Sequence, residues 1–158
     1  MKYVVGVADM RICQGNGDII VTHALGSCLG IAIHDPQACV GGILHVMLPA
    51  SNVSPEKAQA NPLMFVDTGV PLLFKEAYAA GAARDRLVVK VAGGASFGDG
   101  QDFFAIGKRN YVALRKLLWK NGIMIAAEDV GGNISRTLFL EVGSGRTWIQ
   151  SQGRKWDL

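Results

Sequence analysis

The chain has 158 residues, 49% of them apolar and 18% charged, with a formal net charge of +3. A single domain of that length withdraws roughly two-thirds of its unfolded surface from water, so neither disulfides nor a structural metal is needed as a staple. Its Lys and Arg are scattered rather than gathered in a basic block, which argues against nucleic acid as a partner, and no apolar run of about 18 residues offers a membrane-spanning helix.

Three cysteines, Cys13, Cys28 and Cys39, make an odd number without a CxxC pair, which fits a reducing compartment. The first residues carry a single Lys and too short an apolar stretch before Asp9 to serve as a secretion signal. The expectation is a cytoplasmic protein.

Taken in chain order, β-branched runs bounded by Gly, Asn and Asp predict strands over residues 3–7, 18–22, 29–34 and 42–48. Val66, Val70, Leu73 and Ala77 recur at helical spacing and Gly81 follows, so a helix is expected over residues 63–80, kinked or restarted at Pro71. A buried strand is expected at 87–91, a Gly-rich loop at 93–107, and a second helix at 108–120 with Tyr111, Leu114 and Leu118 on one stripe. Strands at 123–127, 136–142 and 146–150 complete the pattern, the last two joined through Gly143, Ser144 and Gly145. Strand-rich ends around two helices predict an α/β domain, residues 1–158, layered on a mixed β-sheet rather than doubly wound.

Chemistry concentrates where Thr22, His23, Ala24, Leu25, Gly26, Ser27 and Cys28 lead from one strand into the next. Glycines on both sides of Cys28, at Gly26 and Gly30, suit a turn that exposes a side chain. Its freed N–H groups, those of Ser27 and Cys28 foremost, can face an oxyanion formed by thiolate attack on a carbonyl. A cysteine nucleophile needs a base that also returns a proton to the leaving group, and the histidines are His23, His34 and His45. If residues 29–34 and 40–48 form a hairpin with a four-residue loop, Gly30 faces His45. Cys28 and His45 are then diagonal neighbours on one face, roughly 7–8 Å apart between backbones. His34 falls on that face at the far end, and the direction of His23 is not fixed by the pattern. Thr22 can accept the imidazole Nδ1–H and hold Nε2 toward sulfur.

By pattern alone, Cys28 is as readily a small buried core residue and His45 a satisfied core histidine. Cys13 and Cys39 read as inert. A zinc site from His23, Cys28, His34 and His45 matches no compact finger or HExxH spacing, so no metal and no cofactor are expected. The stretch from Gly93 to Gly98 lacks the order of a phosphate-binding loop and reads as a turn lining a site. Phe103 and Phe104 are either core anchors or part of a docking surface.

Several separated segments resemble one family: Gly26, Ser27 and Cys28 after Thr22; His45, Val46, Met47, Leu48 and Pro49 after Asp35 and Pro36; and Asp67 with Thr68. Ala92 to Ala95, then Ile106, Gly107, Arg109 and Asn110, then Ala127 to Asn133 with Arg136, follow in order. The chain resembles the CheD family of chemoreceptor glutamine deamidases over nearly its whole length. The resemblance implies a Cys28, His45 and Thr22 site, to which the reading of the turn adds backbone support from Ser27 and Gly26. It also implies a fold similar to bacterial toxin deamidases, chemoreceptor cytoplasmic helices as substrate, and in many members a CheC-type phosphatase as partner. The same thioester route could cleave a glutamyl methyl ester. The rival reading is a non-catalytic module that binds a receptor or a CheC-type phosphatase. Local departures are His23 and Ala24, where Leu and Gly are frequent, and the loop from Gln101 to Phe104.

Overall fold

The computed structural model describes residues 1–97 and 105–158; Gln101, Phe103 and Phe104 fall outside them. Ten strands form two sheets rather than the one mixed sheet expected. The first sheet runs β1 (Lys2–Val5), β3 (Ile19–Leu25), β8 (Arg136–Glu141), β9 (Thr147–Ser151) and β10 (Arg154–Asp157) in spatial order. The second runs β2 (Asp9–Gln14), β5 (Val40–Val46), β4 (Leu29–Asp35), β6 (Val88–Gly93) and β7 (Ala127–Val130). Each sheet contains one parallel pair, β1 with β3 and β6 with β7, among antiparallel neighbours.

Three helices follow: a short α1 (Pro55–Ala60), then α2 (Val66–Ala79), which continues through Pro71, and α3 (Ile106–Lys120). They cover only the second sheet, so the layers are sheet, sheet, helices. Every residue of β4 and β5 is buried. Leu29, Ile31, Ile33 and Leu44 face Val70, Leu73, Leu114 and Leu118 of the helices. Ala32 and Ile43 face Ile20, Leu138, Leu140 and Ile149 of the first sheet. Burying each large aliphatic side chain contributes about 1.5–3 kcal/mol, and here both faces of one hairpin are used.

The strand expected at 123–127 lies later, at Ala127–Val130. Ile123 and Ile125 pack against the helix-side core while Met124 is exposed, so the alternation there marks an extended lead-in. Ala126 N–H already donates to Val89 O, and the regular pairing with β6 starts one residue on. Strand β3 runs three residues past its expected end because a bulge between Thr22 and Leu25 lets pairing with β8 resume at Arg136. Ala24 occupies the left-handed region there, at φ 56°.

Candidate active site

The site lies at one end of the β4–β5 hairpin, between the two sheets. Gly30 stands opposite His45 and Asp35 opposite Val40, so Cys28 precedes β4 by one residue and is diagonal to His45. Thr22 reaches His45 from the first sheet, which is possible because Gly30 lets the sheets close: a Cβ there would sit 2.9 Å from Leu25 Cδ1 and 3.0 Å from Leu138 Cδ2.

The hydrogen-bond chain fixes a tautomer. Thr22 has one hydroxyl proton and donates it to Val5 O at 2.9 Å, so it can only accept at His45 Nδ1, 2.7 Å away. His45 therefore carries its proton on Nδ1 when neutral, and Nε2 presents a lone pair. That Nε2 is buried and has no hydrogen-bond partner among the described residues. The segment crossing from β1 to β2 pins both residues, since Val5 O takes the Thr22 hydroxyl and Ala8 N–H donates to His45 O at 2.9 Å.

The nucleophile turn is held by its carbonyls. Ala95 N–H donates to Gly26 O, and Gly94 N–H donates to Cys28 O, each at 2.9 Å. Asn110 Nδ2 donates to Ser27 O and to Met47 O, each at 3.0 Å. The Ser27 amide has no acceptor among the described residues, and the Cys28 amide turns toward its own sulfur. Gly93, at φ 111°, must be glycine, because a Cβ would come within 2.2 Å of Cys28 O. The Gly-rich segment thus lines the site through backbone donors.

Burial sets the resting protonation. It pushes the Cys28 thiol up, a shift that its own amide opposes only in part, and it pushes His45 down from its ordinary 6.5. At neutral pH these directions leave Cys28 a thiol and His45 a neutral imidazole, and in the free protein no hydrogen bond joins Sγ to Nε2.

The other histidines stand apart. His34 Nε2–H donates to Val142 O at 2.7 Å, and His23 is exposed on the bulge. The four residues weighed as zinc ligands are not gathered, and no cluster of three His, Cys, Asp or Glu suited to a metal occurs among the described residues. Cys13 is buried and Cys39 lies in the β4–β5 turn, both as free thiols. Asp129 and Arg136 form a 2.8 Å ion pair that also receives Trp156 Nε1–H and reaches Gly93 O, joining the two sheets behind the glycine loop.

Asn110 is the site residue whose role the sequence pattern did not give. It is fully buried on α3, in line with Gly107, Leu114 and Leu118. An amide on an otherwise apolar stripe was the available signal, because burial without partners is costly.

A family model described as CheD chemotactic sensory transduction matches residues 47–151. A protein of Solibacter usitatus named probable chemoreceptor glutamine deamidase CheD is 52% identical over 157 residues, covering 99% of this chain and 93% of its own. The chain belongs to the CheD family. A Syntrophus aciditrophicus relative named probable chemoreceptor glutamine deamidase CheD 1 is 49% identical over 150 residues, 95% of this chain and 94% of its own. The CheD family match begins after His45, whereas these relatives align with nearly the whole chain, the cysteine turn included. No helix among the described residues is long and apolar enough to cross a membrane.

Proposed function

We propose that this chain is a chemoreceptor glutamine deamidase, a protein-glutamine glutaminase acting through one catalytic domain over residues 1–158 in the cytoplasm. Cys28 is the nucleophile, His45 the base and acid, and Thr22 the residue that orients the imidazole. The names of the relatives supply the substrate class, and the unpartnered His45 Nε2 supports the chemistry: a buried ring nitrogen with its other proton committed to Thr22 has one remaining use, to take a proton.

The Cys28 proton passes to His45 Nε2 as Sγ bonds to the glutamine side-chain carbonyl carbon. The oxyanion that forms faces the amides of Ser27 and Cys28, with Gly26 shaping the turn. Nε2–H then protonates the departing nitrogen, the C–N bond breaks, ammonia leaves and a γ-glutamyl thioester remains on Cys28. Nε2 next takes a proton from water, whose oxygen attacks the thioester carbon. The C–S bond breaks, glutamate is released and the thiol regains its proton. A glutamyl methyl ester presents an equivalent carbonyl to the same route. On a receptor helix the product adds a negative charge, which biases signalling states by repulsion. A CheC-type phosphatase is the regulatory partner the resemblance implies, and co-purification with one would establish it.

The decisive test is peptide mass spectrometry on a receptor cytoplasmic fragment incubated with the wild type and with Cys28→Ala. Conversion of particular Gln to Glu by the wild type alone is expected. Absence of conversion on several receptors, with binding retained, would favour the non-catalytic module instead.

The pH profile tests the resting state. Activity from a neutral pair requires an unprotonated His45 and a protonated Cys28, so kcat/KM should rise with pH through a midpoint below 6.5, because His45 is pushed down. It should fall only above the ordinary thiol range, because Cys28 is pushed up. An iodoacetamide alkylation rate with an acidic midpoint would instead mark a thiolate–imidazolium pair and refute this protonation scheme.

A further inference from the structure

A concavity of about 800 Å³ among the described residues does not contain Cys28 or His45. It opens on the outer face of the first sheet, between the β3 bulge and the tip of the β9–β10 hairpin. We infer that this cleft binds acidic side chains flanking the target glutamine, and so selects among receptor glutamines; the inference rests on the deamidase reading above.

Position is the first argument. His23 and Ala24 of the bulge line the cleft, four to five residues before the nucleophile in the same continuous turn. Phe97 lines it too, and its ring lies against the backbone of Gly26, with Cε2 3.1 Å from where a Cβ would stand. Phe97 is largely exposed and so forms a wall shared between cleft and nucleophile turn. A polypeptide that presents one glutamine to Cys28 therefore runs past the cleft on the Phe97 side of the turn. Asn110 braces that turn from α3, donating to Ser27 O and to Met47 O.

Charge is the second. His23, Arg154 and Lys155 line the cleft, and none of the described residues lining it is Asp or Glu. Arg154 and His23 have no partner among the described residues. Lys155 Nζ rests 4.9 Å from the Trp148 ring centroid, a contact that leaves its charge available to an anion. The acidic Asp157 of this hairpin is paired with Arg146, away from the cleft. The remaining lining is neutral, with hydrogen-bonding side chains such as Gln150 and Thr137 beside the apolar Ala24 and Phe97. Such a surface favours carboxylates and repels lysine, and its openness suits several side chains of a polypeptide rather than a single small molecule.

The test uses synthetic peptides with one glutamine and two flanking Glu, Ser or Lys residues on either side. For the wild type, kcat/KM should be about tenfold higher for Glu-flanked than for Lys-flanked peptides, through KM, on one side of the glutamine, and the ratio should shrink as salt is raised. In the exposed double variant Arg154→Glu/Lys155→Glu the ranking should invert. An unchanged ranking in that variant would overturn the cleft. Anisotropy binding of the same peptides to Cys28→Ala separates the two readings. Binding preference without turnover by the wild type would sink the deamidase and keep the cleft, whereas turnover without any charge preference in binding would sink the cleft and keep the deamidase.

Discussion

His34 and His45 lie on the same face of the same hairpin, eleven positions apart along the chain, and both are buried. At the Asp35 end the polar side chains are tied to the surrounding backbone and to Arg86. His34 Nε2–H is taken by Val142 O, and the Asp35 carboxylate accepts from the amides of Gln37, Ala38 and Ala83 and from Arg86. Burial would push that carboxyl up, yet these donors hold it well below the usual carboxylate range. At the Cys28 end the sheet supplies one partner for His45 and leaves the other nitrogen bare. The paired groups at the Asp35 end hold the fold, whereas His45 keeps a nitrogen open for the reacting proton; an open atom alone does not mark chemistry, since the buried Asn110 Oδ1 is also without a partner among the described residues.

Substitutions should separate the two ends. His45→Asn removes the base, and kcat should fall about a thousandfold with the melting temperature little changed. A similar loss from His34→Asn, measured per folded molecule, would erase the distinction. Thr22→Val deprives Nδ1–H of its acceptor and frees the ring to adopt the wrong tautomer, which should lower kcat on the order of tenfold to a hundredfold. Thr22→Ser keeps the hydroxyl and should restore most of that loss. If valine and serine variants behave alike, the hydroxyl does not orient the ring.

His34→Leu leaves Val142 O unpaired, so denaturant unfolding should show a loss of about 1–3 kcal/mol with unaltered turnover per folded enzyme. The smallest effect is expected at the bulge. Ala24 sits at φ 56°, where a Cβ is strained, and Ala24→Gly should stabilise the protein by about 0.5–1 kcal/mol. No gain in melting temperature would mean that the bulge relaxes elsewhere.

Much of the site could be read locally. The hairpin register that places Gly30 opposite His45 followed from the length of the turn between Asp35 and Val40, since a two-residue period leaves little freedom once the loop is set. Helices α2 and α3 followed from their apolar stripes and, for α2, from the Gly81 stop, whereas the short α1 was not expected. What escaped was non-local. Nothing in the run from Ile123 to Ala126 says that it lacks a regular partner until β7 is placed beside β6. The β2 and β10 strands, at the edges of the two sheets, carry mixed polar sequences that acquire strand geometry by pairing with a neighbour.

The sequence by itself determined which residue types could do the chemistry, which of them share a hairpin face, and that the protein is an α/β fold of the CheD family. Only the tertiary structure decided that the strands divide into two sheets, because an alternating strand does not state which surface will cover its apolar side. That division brings Thr22 from one sheet onto His45 of the other and Asn110 from a helix onto the carbonyls of Ser27 and Met47. These contacts join residues 23 to 83 positions apart, and a single hydrogen bond across such distances has no local signature in the chain.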